Sequence, residues 1–153
     1  NGSNGLEERL AVLWTEGVET GRLTPNEFVA VTSTNVAKIL NIYPRKGAIV
    51  EGADADIVVW DPKISKRISP SNHHSILDYN VFEGFNVTAQ SRYTLSRGDV
   101  IWAWGQNSQP QPGRGKFIPR PAFHSANTAL SKWKELTAPK MIKRDPLNIP
   151  AGV

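Results

Sequence analysis

The spacing of apolar residues changes twice along the chain and divides it into three regions. Residues 5–43 follow a helical period, residues 45–105 show the short apolar runs typical of strands, and residues 106–153 follow neither pattern. In the first region, apolar positions about one helical turn apart predict a helix that stops at Gly21. These positions are Leu6, Leu10, Leu13 and Val18.

A start signal made of three residues predicts a second helix. Thr24 can cap the backbone, Pro25 occupies the first turn without losing a hydrogen bond, and Glu27 can complete a capping box. A further short helix is predicted over residues 36–40. It should end before Pro44, because the residue that precedes a proline avoids the helical conformation.

The second region predicts a small β unit. Short β-branched runs bounded by turn residues predict three strands and then a hairpin whose turn is Gly98-Asp99. Helices and strands of this kind both need partners for their apolar faces, so we expect a further domain to cover them. The strands are expected at 48–50, 56–60 and 64–69, and the arms of the hairpin at 87–97 and 100–104.

The third region carries the basic charge of the chain. Residues 1–105 hold ten Lys/Arg and twelve Asp/Glu, whereas residues 106–153 hold eight Lys/Arg, two Asp/Glu and seven of the eleven prolines. This composition predicts an extended tail without a core of its own and one short helix over 128–136. The basic residues form no dense block, so we predict no binding to nucleic acid, although a basic module that recruits an acidic partner remains an alternative.

Composition removes several classes of protein. The absence of cysteine excludes disulfides, thiolate metal sites and a cysteine nucleophile, and it fits the reducing cytoplasm that we predict as the location. No apolar run approaches the roughly 20 residues that span a bilayer, so no membrane partner is predicted.

Several motifs resemble those of the amidohydrolase superfamily in order and spacing. Residues 23–40 resemble its last barrel helices, and residues 44–62 resemble the return of the chain into its β-sandwich domain. The motifs shared with the superfamily are Lys46-Gly47, Asp54-Ala55-Asp56 and Asp61-Pro62. Later motifs resemble dihydropyrimidinases and D-hydantoinases in particular, and these are His73-His74, Asp78-Tyr79-Asn80, Phe82-Glu83-Gly84, Val87-Thr88 and Arg97-Gly98.

The resemblance implies an α/β fold in three parts. Residues 1–43 would be closing helices of a TIM-like (β/α)8 barrel, residues 44–105 part of a small β-sandwich, and residues 106–153 an extended proline-rich tail that contacts other subunits of a homodimer or homotetramer. The remainder of the barrel would cover the apolar helix faces. The residues expected to pack on it are Leu6, Leu10, Leu13, Phe28 and Ile39.

The implied activity is hydrolysis of a small cyclic amide, a dihydropyrimidine (dihydrouracil or dihydrothymine) or a 5-substituted hydantoin. The family uses two divalent metal ions, usually zinc, which make bound water a nucleophile near neutral pH. The metal ligands would lie outside this C-terminal segment, so we expect no catalytic residue and no metal ligand here, and an isolated segment without activity. The alternative is a non-enzymatic scaffold that has lost the ligands.

Asn1 is the one substrate-binding candidate. In the subfamily that the chain resembles, the matching Asn-Gly contacts the cyclic amide through main-chain N–H and C=O groups, which suit the paired donor and acceptor of an amide edge. Gly2 would allow the close approach because it has no side chain. The alternative is that Asn1-Gly2 is only a turn.

Other polar candidates are interpreted as structural. His73 and His74 are adjacent, so on an extended chain they point to opposite sides, and we predict either loop packing or the support of a ligand-binding residue instead of a shared ion. His124 is predicted on the surface. Asp54 and Asp56 could be an acid/base pair, but acidic side chains at a turn more often accept backbone N–H groups. Tryptophans are predicted in the core or at interfaces: Trp60, Trp102, Trp104 and Trp133.

Overall fold

The computed structural model describes residues 3–106, 112–121 and 124–142. The chain divides into two compact units, Asn1–Arg120 and Pro121–Val153. Asn1 and Gly2 lie outside the described residues, as does the side chain of His124.

Two helical stretches open the first unit, as the hydrophobic period predicts. Helix α1, Arg9–Leu13, continues as a π-helical segment, Trp14–Glu19. Gly21 then takes a φ of +73°, and its N–H bonds the Val18 carbonyl at 3.0 Å. A positive φ is strained for residues with a Cβ, which explains why a glycine ends this stretch.

The second stretch is longer than predicted. Helix α2, Pro25–Val29, passes into a π-helical segment, Ala30–Thr34, and then into helix α3, Asn35–Ile39. The separate helix predicted over 36–40 is therefore the last part of one continuous element. No glycine or proline lies between Pro25 and Ile39, so nothing in the sequence interrupts the backbone hydrogen bonds.

The predicted capping box of α2 is present. The Glu27 N–H donates to the Thr24 hydroxyl at 3.2 Å, and the Glu27 carboxylate accepts the Thr24 N–H at 2.8 Å. The Thr24 N–H, together with the Thr24 hydroxyl that donates to the same carboxylate at 2.9 Å, lowers the pKa of Glu27 from its ordinary value.

Replacing Thr24 by alanine is expected to lower the free energy of unfolding by about 1 kcal/mol, because it removes the cap hydroxyl. Urea denaturation followed by circular dichroism measures the change. Thr24→Ser keeps the hydroxyl and serves as the control. Equal stability of the alanine and serine variants would contradict the role of the cap.

A three-stranded antiparallel sheet follows, made of β1 Ile57–Asp61, β4 Gln90–Ser96 and β5 Asp99–Ala103 in that order. Strand β4 pairs with β1 on one side and with β5 on the other. The predicted hairpin is confirmed, with its turn one residue earlier, at Arg97-Gly98. Both turn residues have positive φ, 50° and 88°, as a type I′ turn requires.

Two of the predicted strands differ from the structure. The strand predicted over 48–50 is wrong: this segment pairs with no other strand in the described part of the chain, and Ile49 is 81% exposed. The strand predicted over 64–69 is reduced to β2, Lys66–Arg67, which pairs with β3, Asn86–Val87. A β-branched run becomes a strand only where another strand is available for pairing, and the sequence pattern does not contain that information.

The apolar core of the first unit joins α1 to both sheets. Ala11, Ile68 and Val87 are buried, and Trp60 and Phe82 pack partly buried against them. Ile68 lies directly after β2, and Val87 belongs to β3. The small β2–β3 pair therefore supplies the centre of the core although it is only two residues long.

An aromatic cluster corrects one expectation about Phe28. Its ring lies 5.2 Å from Trp14 and 5.9 Å from Trp60, and the residue is only 7% exposed. Phe28 therefore packs within this chain and is not left for a barrel elsewhere. Leu6 and Ile39, by contrast, are 83% and 70% exposed and have the open apolar faces that were expected.

The tail divides between the two units. Residues 112–120 belong to the first unit, where the Arg114 guanidinium donates to Asp99 at 2.6 Å. The second unit contains helix α4, His124–Thr137, which includes the predicted helix over 128–136 and extends beyond both of its ends. The exposed residues of α4 include Leu130, Trp133 and Leu136.

Candidate functional site

Two neighbouring concave regions lie where the start of the chain meets the loop between β2 and β3. The first is a cleft of about 460 Å³ between residues 4–8 and residues 73–77. The second is an aromatic cavity of about 520 Å³ whose wall includes three tryptophans. Glu7 and His74 line both. The tryptophans of the cavity are Trp60, Trp102 and Trp104.

His73 is held by two hydrogen bonds within its own loop. One ring nitrogen, Nε2, lies 2.9 Å from the Leu77 carbonyl and must donate to it. The other, Nδ1, lies 3.2 Å from the side-chain nitrogen of Asn80 and must accept from it. Asn80 is 6% exposed, and its amide oxygen accepts the Phe82 N–H at 2.9 Å. These contacts pack His73 within its own loop, and the alternative role, support of a ligand-binding residue, stays a prediction.

His74 faces Glu7 from the next position. Its N–H donates to the Glu7 carboxylate at 2.7 Å, and its ring Nδ1 lies 3.1 Å from the other carboxylate oxygen. Its ring also meets Trp102 edge to face at 5.2 Å. These contacts assign His74 to loop packing as well.

The carboxylate of Glu7 is held in its ionised form. Burial acts to raise the pKa of Glu7, but hydrogen bonds from the His74 N–H and ring outweigh it, together with the charges of Lys66 and His74. The net result is a pKa below its ordinary value of 4.5. Lys66 Nζ lies 3.4 Å from Glu7 Oε1 and supplies the balancing cation.

Asp54 and Asp56 both have structural contacts, but the predicted role as acceptor of a backbone N–H is found for Asp56, whereas Asp54 is held by ion pairs. Asp54 binds Arg45 Nε at 3.0 Å and Lys46 Nζ at 2.9 Å. Asp56 also pairs with Lys46, and it accepts the Arg97 N–H at 2.8 Å. These carboxylates tie the segment before β1 to the hairpin turn and leave no free acid/base pair.

The same contacts define a pH dependence. The pKa of Asp54 is lowered from 3.8 mainly by the Lys46 hydrogen bond; for Asp56, burial acts to raise the pKa, but hydrogen bonds to Lys46 and Arg97 lower it overall. Burial opposes the charge of Lys46, but both carboxylates together raise its pKa above 10.5. The ion pairs therefore stabilise the fold fully between pH 3.8 and pH 10.5. This stabilisation is lost when the pH falls below the lowered carboxyl pKa of the folded chain or rises above the raised lysine pKa of the folded chain.

We expect Asp56→Asn to lower the free energy of unfolding at pH 7 by about 0.5–1 kcal/mol, since the pair is partly exposed and solvent screens it. The difference from the wild type should shrink as the pH falls below the lowered pKa of folded Asp56, because the carboxyl is then protonated in both folded and unfolded chains. Urea titrations across this range test it, with exposed Asp78→Asn as the control. A difference that stays constant into acid would contradict the assignment.

Metal coordination by these residues alone does not fit the geometry. Both ring nitrogens of His73 are engaged by protein groups, and Nδ1 of His74 faces Glu7. Over residues 3–106, 112–121 and 124–142, no group of three or more His, Asp or Glu side chains is placed to hold an ion. No chemical step is therefore assigned to a metal held by these residues.

The sequence alone did not reveal Asn4 and Glu7 as partners of the β2–β3 loop. Asn4 contacts residues 75 and 77 positions away, and Glu7 contacts residues 59 and 67 positions away. No local spacing encodes contacts over such separations. The motifs His73-His74, Asp78-Tyr79-Asn80 and Phe82-Glu83-Gly84 were the signals that pointed to this part of the fold.

Comparison with known proteins identifies the family. The profile of the amidohydrolase family matches residues 2–101, and the chain belongs to this family. The chain is 50% identical over 119 residues to dihydropyrimidinase 1 of Caenorhabditis elegans, which covers 78% of this chain and 24% of that protein. It is 45% identical over 147 residues to dihydropyrimidinase of Rattus norvegicus, and the match covers 95% of this chain and 28% of that protein. The chain thus spans about a quarter of the length of these relatives.

Solved structures of hydantoinases support the same family assignment. A D-hydantoinase (dihydropyrimidinase) from Thermus sp. superposes with a TM-score of 0.74 at 41% identity, over 78% of this chain and 26% of that one. An L-hydantoinase (dihydropyrimidinase) from Arthrobacter aurescens gives a TM-score of 0.73 at 36% identity, with the same coverage.

A further relative by sequence is dihydropyrimidinase-related protein 5 of Mus musculus. It is 46% identical over 123 residues, which cover 80% of this chain and 22% of that protein.

Among the described residues, no helix is both long enough and apolar enough to cross a bilayer.

Proposed function

We propose that this chain is part of a metal-dependent hydrolase that opens the cyclic amide bond of dihydropyrimidines or 5-substituted hydantoins. The observation that carries the proposal is 45% identity over 147 residues to a dihydropyrimidinase, a match that covers 95% of this chain. The hydantoinase structures support the same chemistry from the fold.

Within that enzyme, residues 1–43 are proposed as the closing helices of a (β/α)8 barrel, residues 44–105 as part of a β-sandwich, and residues 106–153 as a tail that contacts neighbouring subunits of a homodimer or homotetramer. The exposed Leu6 and Ile39 support a barrel partner for the helices. The exposed apolar residues of α4, Leu130, Trp133 and Leu136, support a subunit contact by the tail.

The metal centre is proposed to lie on the remainder of the barrel, with two zinc or other divalent ions. When bound, such ions would activate water and polarise the amide carbonyl. The contribution of this chain is to bind and orient substrate through the main chain of Asn1, with Gly2 allowing the approach. The proposed location is the cytoplasm.

The test is an assay of the full-length parent protein with dihydrouracil and with a 5-substituted hydantoin. Loss of the ring amide is followed by its ultraviolet absorbance before and after removal of metal with a chelator. We expect hydrolysis that disappears with the chelator and returns with zinc. No turnover of any cyclic amide by the zinc-loaded protein would overturn the proposal.

A second candidate is a dihydropyrimidinase-like scaffold without hydrolase activity. The 46% identity to a protein named only as related to dihydropyrimidinase favours it. The same assay separates the two, because a scaffold lacking the metal ligands would retain no zinc and show no turnover.

A further inference from the structure

We propose that Asn4 is a site of covalent modification, where hydrolytic loss of the side-chain amide releases residues 4–8 from the loop 73–81. Among the asparagines in the described part of the chain, Asn4 alone is followed by a glycine, Gly5. The same pair at Asn1-Gly2 lies outside the described residues. Neither the reaction nor its consequence depends on what the parent protein hydrolyses.

The reaction is intramolecular and needs only water. The Gly5 nitrogen loses its proton to solvent and attacks Cγ of Asn4, so that an N–Cγ bond forms and the Cγ–Nδ2 bond breaks. The amide takes a proton from solvent and leaves as ammonia. Water then opens the cyclic imide at either of its carbonyl carbons, which leaves an aspartate or an isoaspartate at position 4. Nothing is oxidised or reduced.

The structure leaves the attacking nitrogen available. Within the described residues, the Gly5 N–H donates no hydrogen bond, so no acceptor holds its proton. Gly5 also has no side chain that could shield the nitrogen. Both Asn4 and Gly5 are partly exposed, so solvent can take the proton from Gly5 and later reach the imide.

The Asn4 side chain, by contrast, is held by the loop. Its oxygen accepts the Val81 N–H at 3.0 Å, and its nitrogen donates to the Tyr79 carbonyl. Attack requires the side chain to turn toward the Gly5 nitrogen, and these two hydrogen bonds oppose that rotation. The reaction is therefore expected from a locally opened state in which both bonds are broken.

Glu7 controls how often that open state occurs. One carboxylate oxygen accepts the His74 N–H at 2.7 Å, and the other lies 3.4 Å from Lys66 Nζ. Hydrogen bonds to a charged acceptor are stronger than neutral ones, so Glu7 is a firm second anchor three residues after Asn4. The contacts of Asn4 and Glu7 together form the N-terminal clasp. Weakening the clasp raises the population of the open state and the rate of modification with it.

The product does not fit the clasp. An aspartate at position 4 keeps an acceptor for the Val81 N–H, but its ionised carboxylate has no hydrogen to donate to the Tyr79 carbonyl. An isoaspartate also adds one carbon to the main chain directly before Gly5. The φ of Gly5 is +107°, and a Cβ there would lie 2.8 Å from the Phe82 ring, so the backbone has no room to shift toward the loop. The modification therefore opens the clasp irreversibly.

The test is ageing of the full-length parent protein in neutral buffer at physiological temperature. Liquid chromatography with tandem mass spectrometry then measures amide-to-acid conversion at each asparagine. We expect conversion at Asn4, about 10-fold faster in Glu7→Ala than in wild type because the open state is more populated. Glu7→Gln keeps an acceptor for the His74 N–H and should fall between them. Glu16→Gln, an exposed change farther along the same helical stretch, should age like wild type.

Asn86 is the internal reference in every sample, because the bulky Val87 follows it in place of a glycine. Conversion at Asn4 no faster than at Asn86, in both wild type and Glu7→Ala, would overturn the modification site. Equal rates at Asn4 in folded wild type, folded Glu7→Ala and the urea-unfolded chain would overturn control by the clasp.

Asn4→Asp tests the consequence without ageing. Hydrogen exchange at the amides of residues 4–8 should be faster in Asn4→Asp than in wild type, because the contact with the Tyr79 carbonyl is lost. Asn26→Asp, an exposed change in the first turn of α2, is the matched control and should leave these amides unaltered. Exchange in Asn4→Asp equal to that of wild type would overturn the release of the segment.

Discussion

Replacing Phe28 by alanine is expected to lower the free energy of unfolding by about 3–5 kcal/mol. Phe28 is 7% exposed and packs against both Trp14 and Trp60, whose rings are themselves 6.0 Å apart. Removal of the ring leaves a cavity beside two large aromatic groups that cannot close it without shifting their elements. The loss combines the transfer of the ring to water with the contacts given up by its neighbours.

Urea denaturation followed by tryptophan fluorescence measures this effect, because two members of the cluster report on it directly. Phe28→Leu keeps most of the buried volume and should cost far less. Val29→Ala, at a neighbouring position that is 53% exposed, should change stability by less than about 0.5 kcal/mol. If Phe28→Ala were no more harmful than Val29→Ala, the aromatic cluster would not be a core.

Gly47→Ala is expected to destabilise the fold by about 2–4 kcal/mol, through backbone strain and overpacking together. The residue has a φ of +78°, and an added Cβ would lie 2.6 Å from the Cβ of Ala37 and 3.2 Å from the Ser33 carbonyl oxygen. Ala37 is itself buried at 4% exposure, so neither side has room to move.

Gly52 offers a matched control for this prediction. Its φ is +86°, but nothing lies within 4 Å of the Cβ that alanine would add. Gly52→Ala should therefore show the conformational cost alone, about 1–2 kcal/mol. Thermal or urea unfolding of both variants separates the two contributions. Equal losses at the two positions would show that the contact with α3 does not limit the packing.

The candidate site was only partly predictable. The adjacent pair His73-His74 could be assigned to loop packing, because neighbours on an extended chain diverge. The partners Asn4 and Glu7 could not be found, since contacts across 59 to 77 residues depend on how α1 docks against the β2–β3 loop. Asn1 lies outside the described residues, so its contact with substrate stays a prediction.

What the sequence determined by itself is local. The capping box at Thr24, the helix end at Gly21 and the hairpin around Gly98 follow from short-range hydrogen bonding and from the φ values that glycine allows. The family could also be reached from the sequence, because its motifs keep their order and spacing within residues 2–101.

Only the tertiary structure decided which apolar residues are covered within this chain. Phe28 and Ile39 both lie on the same continuous helical element, yet one is buried and the other is 70% exposed. The difference depends on Trp14 and Trp60, which come from other elements and meet Phe28 only after folding. Periodicity marks the apolar face of a helix, but the neighbour that covers each position is set by packing between elements distant in the sequence.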